Sequence, residues 1–155
     1  MTTLKEGDKA PTIKAKDQEG NPIFLSDFSG KKVVLYFYPK DNTPGCTKEA
    51  CSFRDNYAAL QQKGLAIIGV SVDSEASHQK FIKKFDLPFP LIADTDMKVV
   101  NDYGVYGEKS MYGRKYMGVF RTTFIIDEKG IIEKVIKKVD TKDSTAQVLS
   151  ELGIA

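Results

Sequence analysis

The chain has 155 residues, 41% hydrophobic and 28% charged, a composition that suits one globular domain spanning 1–155 with its own core and argues against disorder. Its 23 basic and 21 acidic residues are spread along the chain for a formal charge of +2, so no basic block suits nucleic acid or an anionic membrane surface. No apolar stretch approaches the roughly 20 residues needed to span a bilayer, the polar start Met1-Thr2-Thr3-Leu4-Lys5-Glu6 lacks the apolar region of a signal peptide, and the expected location is the cytosol.

In chain order, residues 13–16 and 22–25 flank the turn signal Asp17-Gln18-Glu19-Gly20-Asn21 and predict a short β-hairpin. Ser26 to Gly30 reads as a turn or a single helical turn. The uninterrupted run Val33-Val34-Leu35-Tyr36-Phe37-Tyr38 predicts a central strand covered on both faces. Thr43 and Pro44 then look like an N-cap and first helical residue, and the recurrence of Ala50, Phe53, Tyr57 and Leu60 predicts a helix from Pro44 to about Gln62, stopped by Gly64. Leu65 to Val72 is the next strand. A strand, a helix and a second apolar strand make a right-handed βαβ unit with parallel strands.

A second helix is predicted from about Ser74, with Phe81, Ile82 and Phe85 packing inward and Leu87-Pro88-Phe89-Pro90 ending it. His78, in the polar setting Ser77-His78-Gln79-Lys80, reads as an exposed residue of that helix. Leu91-Ile92-Ala93 is a short strand, and Asp94-Thr95-Asp96 caps a short helix carrying Val99, Val100 and Tyr103. Gly104 to Gly118 has no clear period and reads as a loop bordering the site. Val119 to Asp127 and Ile131 to Val139 are two antiparallel strands about the tight-turn signal Asp127-Glu128-Lys129-Gly130, and a last helix from Ser144 to Leu152 ends at Gly153. The sum is an α/β fold, a mixed central sheet flanked by helices with an N-terminal β-hairpin.

The two cysteines, Cys46 and Cys51, argue for reactive chemistry in a reducing compartment, and with a single histidine a zinc site is hard to assemble. Cys46 falls where a strand hands over to a helix. Unpaired backbone N–H groups and the positive end of the helix dipole favour an anion there, so this thiol is the candidate nucleophile.

The residues Pro39-x-x-x-Thr43-x-x-Cys46 match the active-site signature of the peroxiredoxins, and the order of elements is similar to their thioredoxin-like fold. Gly45-Cys46-Thr47-x-Glu49-Ala50-Cys51 resembles the bacterioferritin-comigratory, or Q-type, subgroup. Gly7-Asp8-x-Ala10-Pro11, Val70-Ser71-x-Asp73-Ser74, Leu87-Pro88-Phe89-Pro90-Leu91, Asp94 and Arg121-Thr122-Thr123-Phe124 extend the resemblance over nearly the whole chain. It implies a thiol-dependent peroxidase that reduces hydrogen peroxide and organic hydroperoxides, needs no metal, haem or flavin, acts as a monomer and is recycled by thioredoxin or a similar dithiol protein.

Carried over residue by residue, the resemblance makes Cys46 the attacking thiolate and Cys51 the resolving cysteine that forms an intramolecular disulfide. Thr43 would return its hydroxyl to the peroxide or the sulfur, Arg121 would bring a fixed positive charge and planar donors, and Pro39 would shield the pocket. Plainer roles stand beside these: Thr43 as an N-cap alone, Arg121 on the surface, Pro39 as a strand stop, Cys51 as a small core residue with an external thiol resolving Cys46. Glu49 reads either as an anchor for Arg121 or as a solvated helical acid. A redox-responsive binding module is a further alternative, as is a general thiol–disulfide oxidoreductase, although the latter normally carries C-x-x-C. In an ideal helix a five-residue step rises about 7.5 Å and turns about 140°, which separates the two Cα atoms by roughly 8 to 9 Å. A disulfide tolerates about 7 Å at most, so joining Cys46 to Cys51 requires this helix to unwind locally.

Overall fold

The computed structural model describes residues 2–154. Its central element is β3 (Lys32–Phe37), whose β-branched and aromatic side chains alternate between two buried layers. Val33, Leu35 and Phe37 face one layer with Ile68, Val70, Phe124 and the residues Val99 and Val100. Val34, Tyr36 and Tyr38 face the other, with Ile67, Ile125, Phe53 and Phe81.

The hairpin β1 (Lys14–Lys16) and β2 (Pro22–Phe24) pairs antiparallel, and a single 3-10 turn, Leu25–Phe28, follows it. Beyond β3 come α1 (Pro44–Asp55), α2 (Tyr57–Gln62), β4 (Leu65–Ser71), α3 (Glu75–Phe85), β5 (Leu91–Ala93) and α4 (Lys98–Asp102). A second ribbon, β6 (Tyr106–Met111) with β7 (Arg114–Val119), precedes β8 (Thr122–Ile126), β9 (Ile132–Ile136) and α5 (Ser144–Leu152). The five-stranded sheet runs β5-β4-β3-β8-β9, with β3, β4 and β5 parallel and β8 and β9 antiparallel to their neighbours. The predicted mixed sheet, its βαβ unit and the N-terminal hairpin are all present.

Three expectations need correction. The helix foreseen from Pro44 to Gln62 breaks at Asn56. The Asn56 side-chain amide donates to the Ser52 carbonyl at 2.8 Å, and Thr145 Oγ1 donates to the same oxygen at 3.0 Å. These bonds occupy the acceptor that the Asn56 backbone N–H would use in a continuous helix. The segment read as a loop, 104–118, is mostly the β6–β7 ribbon, closed by Tyr112 and Gly113 with φ of 52° and 77°. Positive φ at both central residues is the hairpin geometry that follows strand twist. Val119 belongs to this ribbon, so the strand expected from Val119 begins instead at Thr122.

The register of the sheet sets the site. Phe37 pairs with Thr122, which places Arg121 beside the point where the chain leaves β3 for α1. Tyr36 pairs with Gly69 across β3 and β4. A Cβ at Gly69 would lie 2.9 Å from the Tyr36 hydroxyl oxygen and 2.7 Å from Leu91 Cδ2, so glycine is what lets the ring lie over the sheet. Gly69→Ala is therefore expected to destabilise the fold by about 1–3 kcal/mol, seen as a lower urea midpoint with an unchanged m-value.

Candidate active site

Thr43 takes an extended conformation just outside α1, and Pro44 occupies the first helical position. The Thr47 N–H donates to the Thr43 carbonyl at 2.8 Å, so the N–H groups of Gly45 and Cys46 precede the helical ladder and remain available as donors. Cys46 itself is 1% exposed and packs in the layer with Tyr36 and Phe53.

Arg121 bridges two side chains one turn apart on α1. Its Nη2 donates to Cys46 Sγ at 3.2 Å and its Nη1 to Glu49 Oε1 at 2.9 Å. The planar guanidinium suits this fork, since two separate nitrogens meet two acceptors at fixed spacing. Gly45 leaves the approach open, because a Cβ there would stand 3.3 Å from Arg121 Nη2. Burial opposes the charge on Arg121, but Cys46 and Glu49 more than offset it and hold the guanidinium above its ordinary pKa.

Glu49 is fully buried, so the anchoring reading is the one its position favours over a solvated helical acid. Burial raises its carboxyl to about 7 even though Arg121 pulls in the opposite direction. One oxygen, Oε2, has no hydrogen-bond partner among the described residues, and neither has the buried Tyr36 hydroxyl. Burial, then the charges of Glu49 and Cys46, push Tyr36 well above its usual pKa, so it stays a neutral phenol at the floor of the site.

Thr43 is placed at the N-cap, but its hydroxyl does not cap α1. It donates instead to the Lys40 carbonyl at 2.8 Å, leaving its oxygen lone pairs unspent by that bond. Pro39 is half-buried in the turn between β3 and Thr43. Cys51 lies on the same intact helix as Cys46, half-buried, and both thiols are free. Beyond Cys51 the helix is tied down: Ser52 and Thr145 exchange hydrogen bonds at 3.1 Å, and Arg54 Nη1 donates to the Phe85 carbonyl at 2.8 Å.

The largest miss concerns His78, which is not an exposed helical residue but 0% exposed. Its Nδ1 lies 2.7 Å from Asp41 Oδ2 and its Nε2 2.9 Å from the Ile92 carbonyl oxygen. Asp41 also accepts from the Tyr38 hydroxyl at 2.6 Å and from Ser77 Oγ at 2.8 Å. The signal was available in the spacing. His78, Phe81, Ile82 and Phe85 form one i, i+3, i+4, i+7 stripe on α3, so the histidine shares the inward face with the residues recognised as core.

A family model described as the AhpC/TSA family matches residues 6–135. The chain belongs to that family. Peroxiredoxin Bcp of Bacillus subtilis is 45% identical over 97% of this chain and 96% of its own length, and peroxiredoxin Bcp of Escherichia coli is 42% identical over 98% and 97%. A cysteine-to-serine variant of the Xylella fastidiosa peroxiredoxin Q superposes with a TM-score of 0.91 at 31% identity, covering 99% of this chain and 98% of that one. The bacterioferritin comigratory protein of Xanthomonas campestris, studied for alkyl peroxide reduction, gives 0.84 at 34% identity, covering 91% and 90%. This peroxiredoxin has the thioredoxin-like fold and is a thiol-dependent peroxidase. Among its described residues no helix is long and apolar enough to cross a membrane.

Lys109, on the β6–β7 ribbon of this peroxiredoxin, lies near enough to Arg121 and Cys46 to feel their charges, although burial is the first cause that lowers its pKa. Lys109 donates to the Val119 carbonyl at 2.9 Å and stands 6.0 Å from the ring centroids of both Tyr116 and Phe120. Glu49 gives this site a measurable titration. Because the native state raises its carboxyl from 4.5 to about 7, the folded protein holds a proton that the unfolded chain releases across that interval. The sign follows from linkage: stability contributed by the bound proton is present below pH 4.5 and is lost as pH rises to about 7. Urea midpoints of the wild type should therefore fall relative to those of Glu49→Gln between pH 5 and pH 7.5, and a parallel pair of profiles would show that Glu49 titrates normally.

Proposed function

We propose that Cys46 is the peroxidatic nucleophile of this enzyme and that Cys51 resolves it. The observation that carries the reading is the Arg121 fork, with one guanidinium nitrogen 3.2 Å from Cys46 Sγ and the other 2.9 Å from Glu49. The Cys46 thiolate attacks one peroxide oxygen in line with the O–O bond. An S–O bond forms, the O–O bond breaks, and the departing oxygen leaves with the bonding pair and takes a proton to become water or an alcohol. Arg121 and the free N–H groups of Gly45 and Cys46 are donors to the oxygens on which charge grows, and the Thr43 oxygen is an acceptor for the peroxide O–H. Pro39 closes the turn side of the pocket. Hydrogen peroxide and organic hydroperoxides both fit this chemistry, since only the O–O group is handled.

The Cys51 thiolate then attacks Cys46 sulfur, forming the S–S bond and expelling hydroxide, which leaves as water. A dithiol protein such as thioredoxin returns both thiols by exchange. The hydrogen bonds that hold α1 beyond Cys51 support an unwinding confined to the first turns, from Thr43 to Cys51. We place the enzyme in the cytosol as a single-domain monomer spanning 1–155, in keeping with a chain whose two cysteines are too few for a structural disulfide framework.

Intact mass after one equivalent of peroxide tests the sequence of steps. The wild type is expected to lose the mass of two hydrogens, Cys51→Ser to gain one oxygen and stall with thioredoxin, and Cys46→Ser to lose turnover. Gain of an oxygen by the wild type without disulfide formation would instead favour a one-cysteine cycle. Full steady-state activity in Cys46→Ser would remove the assignment.

A further inference from the structure

Thr43 has one hydroxyl hydrogen, and the Lys40 carbonyl receives it at 2.8 Å. That carbonyl shares a planar peptide unit with the Asp41 N–H, and since the chain contains no cis peptide among its described residues, the two groups lie in that plane and point in opposite directions. The Asp41 N–H donates to Asp73 Oδ2 at 2.9 Å. Holding one edge of the plane fixes where the other edge points.

Asp73 is itself referenced to the sheet. Its Oδ2 accepts from Ser71 Oγ at 2.7 Å and its N–H donates to the same hydroxyl oxygen at 3.2 Å, while Ser71 is the fully buried last residue of β4. The Asp41 side chain supplies a second anchor, tied to Tyr38, the residue after β3, and to Ser77 and His78 on α3. His78 continues the chain of contacts to the Ile92 carbonyl on β5, a group that can only accept, so Nε2 carries a proton. Asn42 follows with φ of 57°, a left-handed turn that brings Thr43 back over the Lys40 carbonyl.

We propose that Asp73, acting across the Lys40–Asp41 peptide plane with the Asp41–His78 pair as its second anchor, is a positioning residue that sets the Thr43 hydroxyl as an acceptor toward the peroxide. With its hydrogen given to Lys40, the Thr43 oxygen presents only lone pairs to the pocket. It then receives the peroxide O–H without competing for the thiolate. A flipped or loosened peptide frees the hydroxyl to rotate and donate to the sulfur. This inference rests on the role proposed for Thr43 and extends it to residues that make no hydrogen bond to Cys46.

A double-mutant cycle on the second-order rate of Cys46 oxidation by hydrogen peroxide tests it. Asp73→Ala is expected to lower that rate by about 10- to 100-fold, the scale of a small misplacement in a catalytic constellation. Asp73→Asn keeps an acceptor oxygen and should stay within about threefold of wild type, as expected if a hydrogen bond rather than a charge does the positioning. In a Thr43→Val background, Asp73→Ala should cost less than about twofold more, because the group it positions is gone. Should Asp73→Ala fail to fold, Ser71→Ala, which unclamps the carboxylate without deleting it, enters the same cycle. Losses that multiply in the double variant overturn the inference while leaving Thr43 in place. A Thr43→Val enzyme as fast as wild type overturns the role of Thr43, and this inference with it, without touching Cys46.

Discussion

One guanidinium stands between a sulfur and a carboxylate that occupy the same face of a helix, and the rest of the site depends on it. Arg121 reaches that position because β8 runs antiparallel to β3, so the residue before Thr122 lies where the chain turns into α1. Glu49 is fully buried and would be costly there as an unpaired anion. Burial raises its carboxyl to about 7 even with Arg121 in place, so losing that partner favours the protonated acid further. The ion pair thus holds the arginine in one orientation without making the fold hostage to it. Gly45 and Gly69 serve the same arrangement from two sides, one by opening the path to the sulfur and the other by seating Tyr36 beneath it.

The helix that presents Cys46 has conflicting duties. Its first turn must be formed for the Gly45 and Cys46 N–H groups to act as the proposed donors, yet that same geometry separates the Cα atoms of the two cysteines by roughly 8 to 9 Å. The distribution of side-chain ties follows this division. Ser52 and Arg54 fasten the C-terminal half to α5 and to the end of α3, while the turn before Thr43 is fastened to β4 and α3 through Asp73 and Asp41. Between these fixed ends lies the segment that proposed resolution requires to move. The Arg121 contact to Cys46 is the tie expected to change when the sulfur becomes oxidised, because a sulfenic acid is a weaker acceptor than a thiolate.

Most of the architecture was legible in residue patterns that answer to strong local constraints. The apolar run before Pro39, the Thr43-Pro44 start and the Gly64 stop marked the βαβ unit, and Asp127 to Gly130 marked the last hairpin. What escaped were features decided by partners distant in sequence. Asn56 breaks the helix because its amide and Thr145 converge on one carbonyl. The β6–β7 ribbon shows no apolar alternation because it packs little of either face. His78 was judged by its polar neighbours rather than by its place in the α3 stripe, Asp41 was passed over because nothing local reveals a carboxylate that will be buried against a distant helix, and Asp73 entered only as one residue of a motif. Cys46, Thr43 and Arg121 were reached by motif, with Glu49 left between an anchor and a solvated acid, and only the folded chain brings Arg121 to both the sulfur and Glu49 and turns the Thr43 hydroxyl toward Lys40.

In the proposed mechanism Arg121 acts on the peroxide transition state and not merely on the readiness of the sulfur to react. Comparing Arg121→Gln with wild type in two reactions of Cys46, oxidation by hydrogen peroxide and alkylation by iodoacetamide, separates these directly when measured at a pH where added base no longer speeds alkylation. The predicted result is a loss of roughly 10²-fold or more with peroxide, the scale seen when one preorganised donor is removed, with alkylation changed little. Equal losses in the two reactions would contradict it.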